Sequence, residues 1–176
     1  VYKRQAWYER PSYLLRPMIM KRIDNIANGF VAPLLKENRF KKKKLAWNRV
    51  RKNFIDVIEI DELRGSTTGN ERFVINVAVF VPAFFKITWD QEPKNFVQDA
   101  DALLRLRLED FWDEMFSTKL TRTWIDLDSD ELSSAGQELV RLLDEKVLPY
   151  FDAIEDFDVL EKCFEHSKSR HKEYSL

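Results

Sequence analysis

The feature that most constrains the fold is a change of hydrophobic period between Ile23 and Phe80. Apolar residues first recur at the three- and four-residue spacing of an amphipathic helix, at Ile23, Ile26, Ala27, Phe30, Val31 and Leu34. The spacing then changes to every second residue, in Leu45 and Trp47 and most clearly in Phe73, Ile75, Val77 and Val79. A helix followed by half-buried strands predicts an α+β fold with a helix packed on an antiparallel sheet.

The composition is typical of a folded globular protein. Of the 176 residues, 44% are hydrophobic and 34% are charged, which argues against disorder and predicts one domain. The longest apolar run, at about residues 77–85, is too short to span a bilayer, so we expect no membrane association. Because Cys163 is the only cysteine, no intramolecular disulfide can form, and a reducing, cytoplasmic compartment is favoured.

We expect the first residues not to belong to the native protein. The codons GTG TAT AAG AGA CAG encode Val1 to Gln5, and they resemble the end of a transposase adapter used for sequencing libraries. We interpret residues 1–17 as adapter and upstream read-through in a metagenomic sequence, or else as a disordered arm, with Met18 or Met20 as the true start. Residues 18–167 are predicted to form the single α+β domain, and residues 168–176 a polar tail.

The pattern predicts about five strands and several helices. The strands are expected at residues 45–51, 54–61, 72–81, 104–109 and 121–127, with the third strand in the centre of the sheet. The first helix is expected at residues 20–37, bent at Pro33 and capped by Asn38 in a left-handed conformation. The stretch through residues 88–99 is expected to be irregular after Pro82 ends the third strand. Further helices are expected at residues 111–116, 128–147 (ended by Pro149) and 157–166.

The order of these segments resembles a bacterial family, the domain of unknown function 4304. The matching stretches are IANGFVAPLLKENRFKKKKLAWNRV, FIDVIEID, RFVINVAVFVP, LLRLRLEDF, TRTWIDL and LVRLLDEKVLPYFD. Arg39 stands where the family is expected to have a glycine, and Glu59 and Asp61 flank positions that often carry glutamine. The resemblance implies a helix, an antiparallel sheet and C-terminal helices, and it implies no established activity.

Two groups of residues suggest metal binding at first sight. Asp126, Asp128 and Asp130 alternate as at the start of a calcium loop, but the glycine and the glutamate that such a loop needs at its sixth and twelfth positions are replaced by Glu131 and Gln137. Cys163, His166 and His171 offer three donors whose spacing matches no standard zinc arrangement, and Cys163 falls on an apolar stripe with Leu160 and Phe164. We therefore predict no metal and no cofactor.

Catalytic motifs are also missing from the sequence. It contains no nucleophile elbow, no phosphate-binding glycine loop and no dinucleotide fingerprint, and its two histidines both lie near the end. Paired carboxylates remain open, because a sequence does not show which acidic residues converge. We predict no catalytic residues.

Seven basic residues are the candidates for an interaction site: Lys41, Lys42, Lys43, Lys44, Arg49, Arg105 and Arg107. The first five surround Trp47 and would bind phosphates if that ring were exposed for stacking, whereas a buried Trp47 would make the lysines a solvated sheet edge. Arg105 and Arg107 would bind an anionic partner or pair with Glu59 or Asp61 across strands.

Three functions follow from these residues. The first is non-catalytic binding of a protein partner as an accessory domain, with toxin neutralisation as an analogy that no residue supports. The second is an enzyme with a pocket of carboxylates and arginines. The third is weak nucleic-acid binding through residues 41–52.

Overall fold

The computed structural model of the chain describes residues 22–66, 71–111, 125–127 and 132–173. The predicted N-terminal arm, most of the predicted helix at 111–116 and the first part of the strand predicted at 121–127 lie outside these residues. The first helix, α1, runs from Arg22 to Glu37, and its residues 27–31 form a wider, π-helical turn. In that turn the N–H of Ala32 donates to the carbonyl of Ala27, five residues back. The helix therefore continues through Pro33, where a regular helix would clash with the ring.

The predicted left-handed cap at Asn38 is wrong by one residue. Asn38 has φ −87°, and Arg39, with φ 66°, takes the left-handed conformation instead. The side-chain amide of Asn38 donates to the Leu34 carbonyl at 3.0 Å, which satisfies an end carbonyl of the helix. The reversal of the chain therefore falls on the following residue.

The sheet is antiparallel, as predicted. Its strands are β1 (Lys41–Lys43), β2 (Ala46–Val50), β3 (Ile55–Glu62), β4 (Glu71–Phe80), β5 (Leu104–Arg107) and β6 (Ile125–Leu127). Neighbours follow the order β1-β2-β3-β4-β5, and β6 pairs with the first residues of β4. The predicted central position of β4 is confirmed, because it pairs with β3, β5 and β6. The short strand β1 was not predicted, since a run of lysines has no apolar alternation.

Helices cover one face of the sheet. The helix α3 comprises Leu132–Leu142, a second π-helical turn at Leu143–Val147 and Leu148–Ala153, and α4 is Phe157–Glu173. With α1 they pack on the sheet around a core that includes Ile26, Val31, Trp47, Ile58, Phe73, Ile75, Val77, Leu139, Leu143, Phe151 and Leu160. The predicted helix end at Pro149 is wrong, because the wide turn directly before it accommodates the proline as in α1. The last helix is also longer than predicted.

The other face of the sheet is covered only in part. A smaller apolar cluster of Ile55, Val57, Ala78, Phe80 and Val97 lies there, with Phe85 packed against it. Phe85 belongs to a helix, α2 (Pro82–Trp89), that the sequence analysis did not predict. Proline is favoured at the first position of a helix, so Pro82 both ends β4 and begins α2. No helix in the described part of the chain combines the length and apolar composition that crossing a membrane requires.

Candidate functional site

The four predicted lysines lie at the edge of the sheet. Lys41, Lys42 and Lys43 form β1, Lys44 follows in the turn to β2, and all four are exposed. Lys42 donates to the side chain of Asn28, and its Nζ lies 5.3 Å from the centre of the Trp47 ring. Trp47 itself is buried in the main core. The indole is therefore unavailable for stacking on a nucleic-acid base, and the lysines form a solvated edge strand.

Arg49 is held in a buried ion cluster. Its Nε donates to Asp56 at 2.8 Å, and Arg51 donates to the same carboxylate from its Nε at 3.0 Å and its Nη2 at 2.6 Å. Arg49 also pairs with Asp152 at 2.7 Å, and Arg51 donates to the Ile154 carbonyl at 2.7 Å. Burial raises the pKa of Asp56, and the positive charges and hydrogen bonds of the two arginines oppose that rise.

Aromatic rings also pack against the guanidinium groups of the same two arginines. The guanidinium carbon of Arg49 lies 5.1 Å from the Phe40 ring centre and 5.9 Å from that of Phe151, and Arg51 lies 5.3 Å from that of Phe54. A cleft of about 440 Å³ opens beside them, and Arg39 lines it as well. Three arginines therefore line one cleft, and of these only Arg49 was predicted as a site residue from the sequence.

Arg105 and Arg107 lie on the partly covered face of the sheet. Arg105 pairs with Asp99, which lies in a short 3₁₀ turn before β5, at 2.5 Å. The positive charges of Arg105 and Arg107 both lower the pKa of Asp61, although its net pKa is raised, first by desolvation and then by the negative charge of Asp99. The predicted pairing with Glu59 or Asp61 is thus replaced, for Arg105, by an ion pair with a loop carboxylate.

Glu59 is a buried acid of the same face. Its carboxylate accepts the backbone N–H of Asp99 at 3.0 Å and the side-chain amide of Gln98 at 3.3 Å. Burial raises the pKa of Glu59, the Asp99 N–H lowers it, and the charges of Asp99 and Asp61 raise it further. Glu59 therefore resists ionisation more than an exposed glutamate does.

The same polar groups fasten a loop to the sheet. The Asn48 side chain donates to the Val97 carbonyl at 3.0 Å and accepts the Val97 N–H at 2.8 Å, as a neighbouring strand would. Asn76 donates to Asp61 at 2.8 Å. Because the hydrogen bonds of these buried groups go to the loop and to each other, the cluster has a structural role that the sequence did not reveal.

Cys163 packs as predicted, half-buried against the core beside Leu160 and Phe164. With His166 it lines a pocket of about 330 Å³ between α4, the end of β5 and the last turns of α3. The side chain of His171, together with Asp128 and Asp130, lies outside the described residues. Among the side chains that the structure describes, no group of three or more His, Cys, Asp or Glu residues is placed to hold a metal ion.

The helix α2 is the functional candidate that sequence reasoning missed. It has no buried residue, and it leaves Phe84 47%, Ile87 84% and Trp89 64% exposed. Only Phe85 turns inward, where its ring packs 5.4 Å from that of Phe80. The residues after Pro82 are largely apolar, but their spacing does not match the period of a buried helix face or strand face. This mismatch was the signal in the sequence for an exposed apolar surface.

Comparison with known proteins identifies the family. A family model described as Domain of unknown function (DUF4304) matches residues 31–153 of the chain, which is more than half of its length. The chain belongs to this family. No curated protein and no solved structure matches it. In this member of the domain of unknown function 4304 family, the matched range contains the whole sheet and α2, together with the cleft residues Arg39, Arg49 and Arg51.

Proposed function

We propose that this chain is a bacterial, cytoplasmic accessory domain that binds a protein partner and performs no catalysis. The observation that carries the proposal is the exposure of Phe84, Ile87 and Trp89 on a helix without buried residues. Contiguous apolar groups on a protein surface mark interaction sites, and aromatic side chains are enriched at their centres.

The geometry of α2 favours a partner with an apolar groove. Phe84 and Ile87 are three residues apart and therefore lie on one side of the helix, where they can enter a groove together. Lys86, the basic residue of α2, pairs with Glu92, so its charge is already matched within the chain. The binding energy is then expected to come from apolar burial and to depend weakly on salt.

The other two functions have less support. An enzyme would use a pocket of carboxylates and arginines. The carboxylates of Glu59, Asp61 and Asp99 bind Gln98, Asn76 and Arg105 and fasten a loop. In the arginine cleft, Arg49 and Arg51 bind Asp56, and Arg49 also binds Asp152. Nucleic-acid binding would use Trp47 between the lysines, but that ring is buried. Neither arrangement offers a free reactive group or a stacking surface.

Ile87→Glu tests the proposal. The chain is co-expressed with the products of genes adjacent to its own, and co-purified proteins are compared between the wild type and the variant. We expect the variant to lose its partner, because a carboxylate in an apolar groove is strongly unfavourable. Its free energy of unfolding should change by less than about 0.5 kcal/mol, since Ile87 lies on the surface.

The matched control is Ser133→Glu, which adds the same charge at an exposed position of α3. It should retain the partner. A second readout is the fluorescence of Trp89, whose emission should shift to shorter wavelength on binding and should disappear from the difference spectrum in Trp89→Phe. Equal binding by the wild type and Ile87→Glu, or a concentration-dependent dimer that Ile87→Glu dissolves, would contradict binding of a different protein by α2.

A further inference from the structure

The edge of β2 is left open next to the arginine cleft. The Arg51 N–H donates to the Phe54 carbonyl, and the Ile60 N–H donates to the Leu45 carbonyl, each at 2.8 Å. In an antiparallel pair every second residue bonds to the same neighbour, so residues 45, 47, 49 and 51 bond to β3. The residues between them, including Val50, direct their backbone N–H and C=O groups to the opposite side.

That opposite side is covered by β1 only in part. β1 pairs with Ala46, Trp47 and Asn48, and its last pairing partner on β2 is Asn48. The chain before β1 does not continue the ladder, because the left-handed Arg39 turns it into α1. The backbone of Val50 therefore faces an open edge, and its side chain is 70% exposed. Such an edge can accept one more strand.

The charge around this edge indicates what kind of partner strand can bind there. Residues 39–52 contain eight basic residues and no acidic one, namely Arg39, Lys41, Lys42, Lys43, Lys44, Arg49, Arg51 and Lys52. Arg39, Arg49 and Arg51 line the cleft beside Val50, together with the carboxylates of Glu37 and Asp152. The lysines of β1 oppose pairing with a second copy of the same basic edge. Arg49 and Arg51 already bind Asp56, so the exposed positive charge beside this edge is that of Arg39 and the lysines, and an acidic segment complements it.

The cleft already contains one example of the contact that such a segment would make. Arg49 donates from Nη2 to the exposed carboxylate of Asp152, while its Nε is held by the buried Asp56. The guanidinium is thus fixed with its outer edge directed to a solvent-accessible carboxylate. Arg39 is exposed on the other side of the cleft.

We propose that this edge binds an extended acidic segment of a partner protein, which adds to the sheet beside Val50 and places its carboxylates against Arg39 and Arg49. A peptide fits better than a nucleic acid because the uncovered edge presents the backbone N–H and C=O of Val50 in strand geometry, and because Trp47 is buried. The site is separate from α2 and goes beyond the function proposed above.

The test uses the whole chain and a short fluorescein-labelled peptide of alternating glutamate and valine, followed by fluorescence anisotropy. We expect binding that weakens as salt is added, and no binding of a peptide with lysine in place of glutamate. The same acidic peptide with N-methylated valines should not bind, because it lacks the backbone N–H groups that a strand uses.

Arg39→Gly should weaken binding of the acidic peptide about tenfold, the loss expected for one charge-assisted hydrogen bond. This variant removes the guanidinium at a position whose backbone favours glycine, so the fold is retained. Lys94→Gln, at an exposed basic residue that does not line the cleft, is the matched control and should bind as the wild type does. Ile87→Glu should also bind the peptide normally, which separates this site from α2.

Three outcomes would overturn the inference. They are equal binding by Arg39→Gly and the wild type, equal binding of the N-methylated and unmodified peptides, and no binding of the acidic peptide at all. Tighter binding of single-stranded DNA than of the peptide, weakened in the same way by Arg39→Gly, would instead assign the edge to nucleic acid and would equally contradict the proposal.

Discussion

Arg39 joins α1 to β1 with a left-handed backbone, φ 66°, at the position where the family resemblance implied glycine. For a residue with a Cβ this conformation costs about 1–2 kcal/mol. We expect Arg39→Gly to raise the free energy of unfolding by up to about 1 kcal/mol, because the relief of strain exceeds the added freedom of the unfolded chain.

Urea denaturation measures this change. Arg39→Ala is the control, since it removes the same guanidinium but keeps the Cβ and its strain. A gain of the same size in both variants would show that the charge of Arg39, and not its backbone conformation, limits stability.

Asp56 is the buried anion that holds Arg49 and Arg51 in place. Asp56→Asn removes the buried counterion of two partly buried guanidinium groups and leaves Arg49 only the exposed Asp152, and removing one partner of such a cluster costs about 3–5 kcal/mol. We expect a loss of this size in the free energy of unfolding, measured by urea denaturation. A double variant that also replaces Arg51 by methionine should recover part of the loss, whereas a further loss would contradict a charge-based cause.

At this scale the sequence predicted only part of the site. The basic residues were recognisable from their number, and Arg49 was selected among them. Asp56 was not, because an acidic residue next to β-branched residues has the same appearance whether its side chain is exposed or buried. Its burial depends on Arg49 and Arg51 reaching it across the hairpin of β2 and β3 and on the approach of α3, which no local pattern encodes.

At the scale of elements, α1 and α3 accommodate an internal proline in the same way. Each contains a π-helical turn that ends at a valine, and each has a proline two residues later, Pro33 or Pro149. The wide turn shifts the backbone hydrogen bonds to the fifth residue, so the helix continues through a residue that would otherwise interrupt it. The predictions from sequence were a bend at Pro33 and a helix end at Pro149, because the usual rule assumes a regular helix.

The two helices also approach each other closely at Gly136. A Cβ at this position would lie 2.6 Å from ring atoms of Phe30 in α1. We expect Gly136→Ala to lower the free energy of unfolding, because overpacking of about 1–3 kcal/mol outweighs the gain in helix propensity of about 1 kcal/mol.

Gly29→Ala is the matched control for this prediction. Gly29 also lies in a helix, but a Cβ there would meet nothing within 4 Å. It should raise the free energy of unfolding by up to about 1 kcal/mol through helix propensity alone. Thermal denaturation measures both variants. Equal shifts of the two melting temperatures in the same direction would contradict close packing at Gly136.

At the scale of the whole molecule, the partly covered face of the sheet makes stability depend on pH. The pKa of Glu59 is raised above its ordinary value of 4.5, mainly by burial. The folded state then binds this proton more tightly than the unfolded state does. The stabilisation is complete below pH 4.5 and is lost as the pH rises through the raised pKa of the folded state.

Glu59→Gln tests this dependence. Its amide oxygen can still accept the Asp99 N–H, but it has no proton to exchange. We expect the wild type to gain free energy of unfolding when the pH is lowered from 7 towards 5, and the variant to gain less. Urea denaturation at several pH values measures both slopes, and parallel slopes would mean that Glu59 is not responsible.

The sequence by itself determined the fold class, the central strand, the basic edge and the membership of the family, because burial of one face imposes a period that short segments record. Only the tertiary structure decided that Trp47 is buried, that Arg105 pairs with Asp99, that Arg39 lies in the cleft and that α2 exposes Phe84, Ile87 and Trp89. These outcomes depend on which distant segments come together and on where a loop or a helix leaves the sheet uncovered. These contacts are set by packing between distant parts of the chain. The hydrophobic period of a short segment contains no information about them.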